Sequence, residues 1–307
     1  MKTYTKYSFL VAAIGLTVLG GCKKNSGGND NNNGNTGGGG YVKTKYNTNP
    51  ITANASCDYD MKDTSLTNHG WTKSFDDEFN DASNWGAVTG GVTKELECNE
   101  PANVKVSNGV MTITAKPQSI TGPKTIGNDT TANFNFTSGW AISHATFSAN
   151  STTPKIRIVA RIKCAAGSGL TSLFYGFGED NWPTNGEIDY MEYKGDDVKS
   201  YSIDYFYGST VGKNQVTDGL MFNPTTEDLS ACYHVYVMEW TQNSLSAYLD
   251  GNLVTTSNGA NVANLFGKDH HLALSLPIGG LYYTNLNSAN VQGGTMTIDY
   301  VKVFTSH

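Results

Sequence analysis

Short strand-like runs set between turn residues constrain this chain more than any other feature of its 307 residues. Asn103–Ser107 and Val110–Lys116 flank Asn108-Gly109, and Ser244–Leu249 and Asn252–Thr256 flank Asp250-Gly251. Both dipeptides tolerate the positive φ of a two-residue turn, so each reads as a β-hairpin. Lys155–Lys163, Ser172–Phe177, Glu187–Tyr193, Tyr201–Tyr207, Tyr233–Trp240, His271–Leu276 and Thr295–Phe304 are further runs of strand-forming composition. No long stretch keeps a 3.6-residue apolar period, and only Thr225–Ala231 suggests a short helix. The pattern predicts an all-β domain of two packed antiparallel sheets.

The N-terminal end reads differently. Lys2 and Lys6 precede a mostly apolar run from Phe9 to Leu19, which is too short to span a bilayer as a helix. The run ends in Leu19-Gly20-Gly21-Cys22, which resembles a bacterial lipoprotein processing box. That resemblance implies a signal peptide over 1–21, lipidation of Cys22 and export to a bacterial membrane; an ordinary cleaved signal is the alternative. Ser26–Gly40 contains nothing that could pack a core and reads as a flexible tether within an extension over 22–56. With no second linker, 57–307 is expected to form one domain and to act as a monomer.

Formal charge is −6, and Arg157 and Arg161 are the only arginines. A nucleic-acid partner calls for a clustered basic face, and a heavily sulfated glycan for arginine forks; neither is present. A neutral or weakly charged polymer fits better, and the seventeen tyrosines suit the apolar faces of sugar rings. Beyond Cys22 stand Cys57, Cys98, Cys164 and Cys232, which allow three pairings. Cys164 ends one run and Cys232 begins another, so these two form one candidate bridge, against buried free thiols. No CxxC spacing exists and His270-His271 are adjacent, so no zinc site is expected.

The segment Trp182-Pro-Thr-Asn-Gly-Glu-Ile-Asp-Tyr-Met-Glu-Tyr193 carries the chemistry. Side chains alternate along a strand, so Glu187 and Asp189 share a face while Glu192 falls on the other. One extra residue at Tyr190-Met191, a β-bulge, returns Glu192 to their side. The two glutamates are then about four strand positions apart, roughly 13 Å at the backbone. Inclined side chains can close that to about 5 Å, the carboxyl separation of double displacement. Three acids on one face repel, so a pKa must rise, as a general acid near neutral pH requires.

At these residues the chain resembles glycoside hydrolase family 16, in its bulged laminarinase and agarase group, whose Glu-x-Asp-x-x-Glu strand matches Glu187–Glu192. The likeness runs from about Phe75 to Phe304. It includes Phe75–Asn80, Asn103–Ala115, Ala160–Lys163, Tyr233–Trp240, Asp250-Gly251, Gly279-Gly280 and Ile298–Val303 in order. The resemblance implies a β-jelly-roll with a substrate cleft on its concave sheet. It also implies Glu187 as nucleophile, Glu192 as acid/base and Asp189 as the group tuning the nucleophile, with no cofactor in the chemistry. Trp182 matches the sugar-stacking aromatic before the nucleophile.

Elsewhere the chain departs from the family. Ser138-Gly139-Trp140 stands for Ser-Gly-Arg, Leu170–Tyr175 for Leu-Trp-Pro-Ala-Phe-Trp, Phe206-Tyr207-Gly208 for His-Tyr-Gly, and Ser275 for the asparagine before the late Gly-Gly. Trp140, Tyr175, Tyr207 and Tyr282 are candidate replacement platforms for sugar. A structural calcium on the convex side, as in many relatives, would draw on Glu78, the Gly109 carbonyl and Asp299. The leading expectation is a retaining endo-hydrolase of a β-1,3-glucan or β-galactan. The competing expectations are a transglycosylase on the same fold and a glycan-binding lipoprotein without activity.

Overall fold

In a computed structural model of the chain, the described residues are 45–46, 52–179, 181–213, 221–283 and 285–307. The leader, Cys22 and the Ser26–Gly40 tether lie outside them. Two sheets account for the described strands. One has eight strands, in the order Lys45–Tyr46, Met221–Pro224, Ser200–Phe206, Glu187–Lys194, Thr171–Phe177, His270–Ser275, Trp140–Phe147 and Trp85–Ala87. The other is built around Asn252–Asn258, Ser244–Leu249, His234–Thr241, Lys155–Lys163, Gly294–Ser306 and Val110–Pro123. Pairing is mostly antiparallel; Lys45–Tyr46 on Met221–Phe222 and Glu97–Asn99 on Phe136–Ser138 are parallel.

Both expected hairpins form. Asn108 and Gly109 take φ of 53° and 75°, and Asp250 and Gly251 take 49° and 80°, the left-handed geometry a two-residue turn needs. The core between the sheets follows from strand alternation. Phe174, Ile188, Tyr190, Met191, Tyr193 and Leu272 point inward from the first sheet, and Met111, Ile113, Ile158, Ile162, Met238 and Trp240 from the second. On the outer face of the second sheet, Val159, Val235, Val237, Tyr300 and Phe304 are covered by Met61, Leu66 and Trp71 of the segment that precedes the first long strand.

Two expectations need correcting. Thr225–Ala231 is not helical: Asp228 Oδ1 accepts from the Ser230 amide at 2.8 Å and Thr225 Oγ1 donates to the Glu227 carbonyl at 2.8 Å, so local side-chain bonds replace a helical ladder. The bridge is Cys57–Cys232, with Cα atoms 5.5 Å apart, and not Cys164–Cys232. Cys164 points into the core beside Met191 and Tyr236, and burial pushes its thiol up to about 12.

Candidate active site

The strand Glu187–Lys194 is bulged where its acid spacing requires. On one side Asp189 pairs with Asp204 and Glu192 with Ser202, so three steps along this strand match two on its neighbour. On the other side Tyr175 pairs with Asp189 and Phe174 with Met191, leaving Tyr190 as the extra residue. The Tyr190 ring turns into the core, edge-on to Phe174 at 5.0 Å. A glycine opposite makes room, since a Cβ on Gly176 would lie 2.1 Å from the Tyr190 hydroxyl. Ile188, Tyr190, Met191 and Tyr193 thus face the core and leave Glu187, Asp189 and Glu192 on the other face.

Strand register builds three rows across that face. The first contains Phe206, Glu187, Phe177 and His271; the second Asp204, Asp189, Tyr175, Ala273 and Ile142; the third Ser202, Glu192, Leu173, Ser275 and Trp140. Each acid has defined partners. Trp182 Nε1–H donates to Glu187 Oε2 at 2.5 Å, and the Asp189 side chain also bonds Glu187. Glu192 Oε2 accepts from the Tyr282 hydroxyl at 2.5 Å and lies 3.1 Å from Ser202 Oγ.

Burial raises all three acids. Asp189 rises furthest, through burial and then the charges of Glu192, Glu187 and Asp204. Burial pushes Glu187 up to about 7 as well, but the bonds from Trp182 and Asp189 both favour its anion, and the bond to Glu187 favours the proton on Asp189. Glu192 is pushed up to about 7 by burial, against the two hydroxyls that favour its carboxylate. One ionised carboxylate beside one protonated carboxyl on the same face is the arrangement for attack on an anomeric carbon with proton delivery to the leaving oxygen.

The profile of glycosyl hydrolases family 16 matches residues 97–302. The chain belongs to that family. It is 25% identical over 240 residues to glucan endo-1,3-β-glucosidase A1 of Niallia circulans, matching 73% of this chain and 34% of that one. The chain thus spans about a third of that relative's length. It is 26% identical over 266 residues to glucan endo-1,3-β-glucosidase of Cryptopygus antarcticus, covering 77% of this chain and 93% of that one. Among solved structures, the endo-β-1,3-glucanase of Pyrococcus furiosus superposes with a TM-score of 0.65 at 25% identity, over 77% of this chain and 95% of that one. The sandwich is the family 16 jelly roll.

Against this family 16 frame, the aromatic residues singled out in the sequence fall in different places. Trp182 and Tyr282 touch Glu187 and Glu192 directly. Tyr175 sits between the acids and a cleft-side cluster of Val88, Trp140, Ile142 and Ala273, with its ring 6.4 Å from Trp140 and 5.7 Å from Phe177. Trp140 is 5% exposed there, packed under Val88, Val92 and Ile126. Tyr207 packs in the main core, stacked on Tyr205, and its hydroxyl donates to Asn261 at 2.8 Å.

The calcium set does not fit an ion as it stands. Glu78 is paired with Lys302 at 2.8 Å and Asp299 with Arg161 at 2.7 Å, so built-in cations already neutralise both carboxylates. Lys302 is largely buried and also meets Asp63 at 3.3 Å, leaving a divalent cation beside a fixed ammonium.

Sequence reading missed several residues of the site. Glu97 is fully buried and accepts from the Ile278 amide at 2.9 Å. Glu95 bonds Glu97, is raised by burial and by Glu97's charge, and its own charge acts on Tyr175 beside the acids. Glu95-Leu-Glu97 has the period-two spacing that puts two acids on one strand face, and that was the available signal. Ser202 and Asp204 become visible only through pairing with the strand Glu187–Lys194. His271 bridges the Ser143 carbonyl and Glu179, at 2.7 Å each.

Proposed function

We propose that this chain is an endo-acting, retaining hydrolase of a β-linked glucan, with β-1,3-glucan as its substrate class. The observation that carries this reading is the bulged strand that sets Glu187, Asp189 and Glu192 on one face, with Asp189 and Trp182 bonded to Glu187. The names of the Niallia, Cryptopygus and Pyrococcus relatives support the glucan and its linkage.

In the first step the Glu187 carboxylate bonds to the anomeric carbon while the glycosidic C–O bond breaks. Glu192 gives its proton to the departing oxygen. In the second step Glu192, now a carboxylate, takes a proton from water; the water oxygen bonds to the anomeric carbon and the Glu187 ester breaks. Asp189 keeps its proton throughout and steadies the Glu187 anion before attack. No cofactor enters either step. For placement, the basic start, apolar run and Leu19-Gly20-Gly21-Cys22 support an exported, Cys22-lipidated protein that meets its polymer from a membrane surface.

The test is digestion of a panel of β-1,3-glucan, mixed-linkage β-glucan, β-galactan and mucin glycans, followed by chain length. Shortened β-1,3-glucan is expected, with cleavage lost and binding retained in Glu187→Gln. Equal cleavage by that variant removes the mechanism; binding without cleavage by the wild type makes the chain a glycan-binding module. Metabolic labelling with a fatty acid tests the anchor, and label that survives Cys22→Ala would overturn it.

A further inference from the structure

We propose that Tyr282 is a positioning residue for the acid/base: with Ser202 it fixes Oε2 of Glu192 and so presents Oε1 to the glycosidic oxygen. This rests on the hydrolase reading above. The Tyr282 hydroxyl donates to Glu192 Oε2 at 2.5 Å, and Ser202 Oγ stands 3.1 Å from the same oxygen. A carboxyl oxygen that accepts from two hydroxyls has no room for a proton of its own. The transferable proton therefore sits on Oε1, the oxygen neither hydroxyl holds.

Tyr282 is itself held. The turn before it passes through Gly279 and Gly280 at φ of 80° and 76°, a left-handed path that glycine takes without strain. The Gly279 amide donates to the Gly169 carbonyl at 2.8 Å, and the next residue, Tyr283, donates its hydroxyl to the Leu170 carbonyl at 2.8 Å. Backbone bonds on one side of Tyr282 and a side-chain bond on the other thus fix the turn to the start of the neighbouring strand. The donor is in place before substrate arrives, which is what precise proton delivery requires.

The experiment uses the purified full chain as wild type, Tyr282→Phe and Ser202→Ala. Two substrates are compared: β-1,3-glucan, and a 2,4-dinitrophenyl β-glucoside whose leaving group departs without a proton. Phenylalanine keeps the ring and removes only the donor, so a purely stacking role predicts wild-type rates. Positioning predicts a fall in kcat on the glucan of roughly 10- to 100-fold, a fraction of what general acid catalysis supplies. KM for the glucan should stay near its wild-type value, and kcat/KM for the aryl glucoside, which reads only the step that needs no proton, should be far less affected.

Loss of the donor also disfavours the carboxylate form of Glu192, so the alkaline limb of the kcat/KM profile should move to higher pH. The titratable groups around this acid are Glu187 and Asp189 on the same strand, Asp204 and Tyr175 on the two neighbours, and Glu95 and Tyr282 from the loops, with Lys194 lying over Tyr283. Ser202→Ala should move it in the same direction by less, and it decides the matter should Tyr282→Phe not fold. Unchanged glucan cleavage, an equal loss in kcat/KM on both substrates, or an unmoved limb overturns the proposal. A wild type that cuts no β-glucan removes the parent reading and this one with it.

Discussion

A carboxyl that must still hold its proton near neutral pH has to be unhappy as an anion, and Glu192 is. Burial raises it from 4.5 to about 7, so the folded chain binds that proton more tightly than the unfolded chain. The sign follows: the contribution of Glu192 to stability is fully present below pH 4.5 and is lost as pH rises through about 7. Glu192→Gln removes the charge, and its Tm is expected to exceed wild type by roughly 2–4 °C at pH 7.5, with little difference at pH 4. Calorimetry at the two pH values checks this; a variant less stable at pH 7.5 would contradict it. Cleavage itself should decline as pH rises through about 7, with the loss of protonated Glu192, as a pH–rate profile would show. The shared face of Glu187, Asp189 and Glu192 was legible because it follows from period-two arithmetic plus one extra residue. Tyr282 was legible as an aromatic near the cleft, but its hydroxyl's direction was not, because its partner stands 90 residues away. Ser202 needs the register of two paired strands to be placed, and the spacing of Glu95 and Glu97 does not reveal that Glu95 acts on Tyr175.

At the scale of the element, the bulge works only because its neighbour yields. Tyr190 is the spare residue, and its ring needs the space that Gly176 leaves in the middle of Thr171–Phe177. A glycine within a strand costs local stability, and here it is the condition for turning Glu192 toward Glu187. Gly176→Ala is expected to destabilise by about 1–3 kcal/mol through overpacking, and to lower kcat as well, because relief of the clash shifts the bulge. Denaturant unfolding and kinetics on one preparation test both; full stability with full activity would show that Tyr190 can move freely. Lys155–Lys163 was readable to the residue from its Ile and Val content, and Ser244–Leu249 from its alternation before the Asp250-Gly251 turn. Thr131–Ser138 and Trp140–Phe147 were not, since their Ala, Asn and Ser content looks like loop until a neighbouring strand supplies the hydrogen bonds.

For the whole molecule, the segment before the first long strand acts as a strap. It is joined to the sandwich by Cys57–Cys232, by the Ser56 amide on Asp250 at 2.8 Å, and by Arg161 Nε donating to the Tyr59 carbonyl at 2.9 Å. The bridge spans 175 residues of sequence, so it limits the unfolded chain strongly. Replacing both cysteines by serine is expected to cost about 2–5 kcal/mol, read as a lower denaturation midpoint with activity retained below it. Because Lys302 and Arg161 already neutralise Glu78 and Asp299, a chelator should leave Tm unchanged; a fall restored by calcium would contradict that account. The all-β sandwich was legible from turn chemistry and strand composition, whereas the choice among three cysteine pairings was not, because sequence alone does not say which ends of which strands meet. The proposed mechanism asks of the whole fold a cleft in which one carboxylate attacks and one carboxyl delivers a proton on the same sugar. The most direct test of that claim is proton NMR of β-1,3-glucan during the first minutes of digestion. The β-anomer of the new reducing end should appear first and then mutarotate; initial appearance of the α-anomer would mean that Glu187 does not form a covalent intermediate.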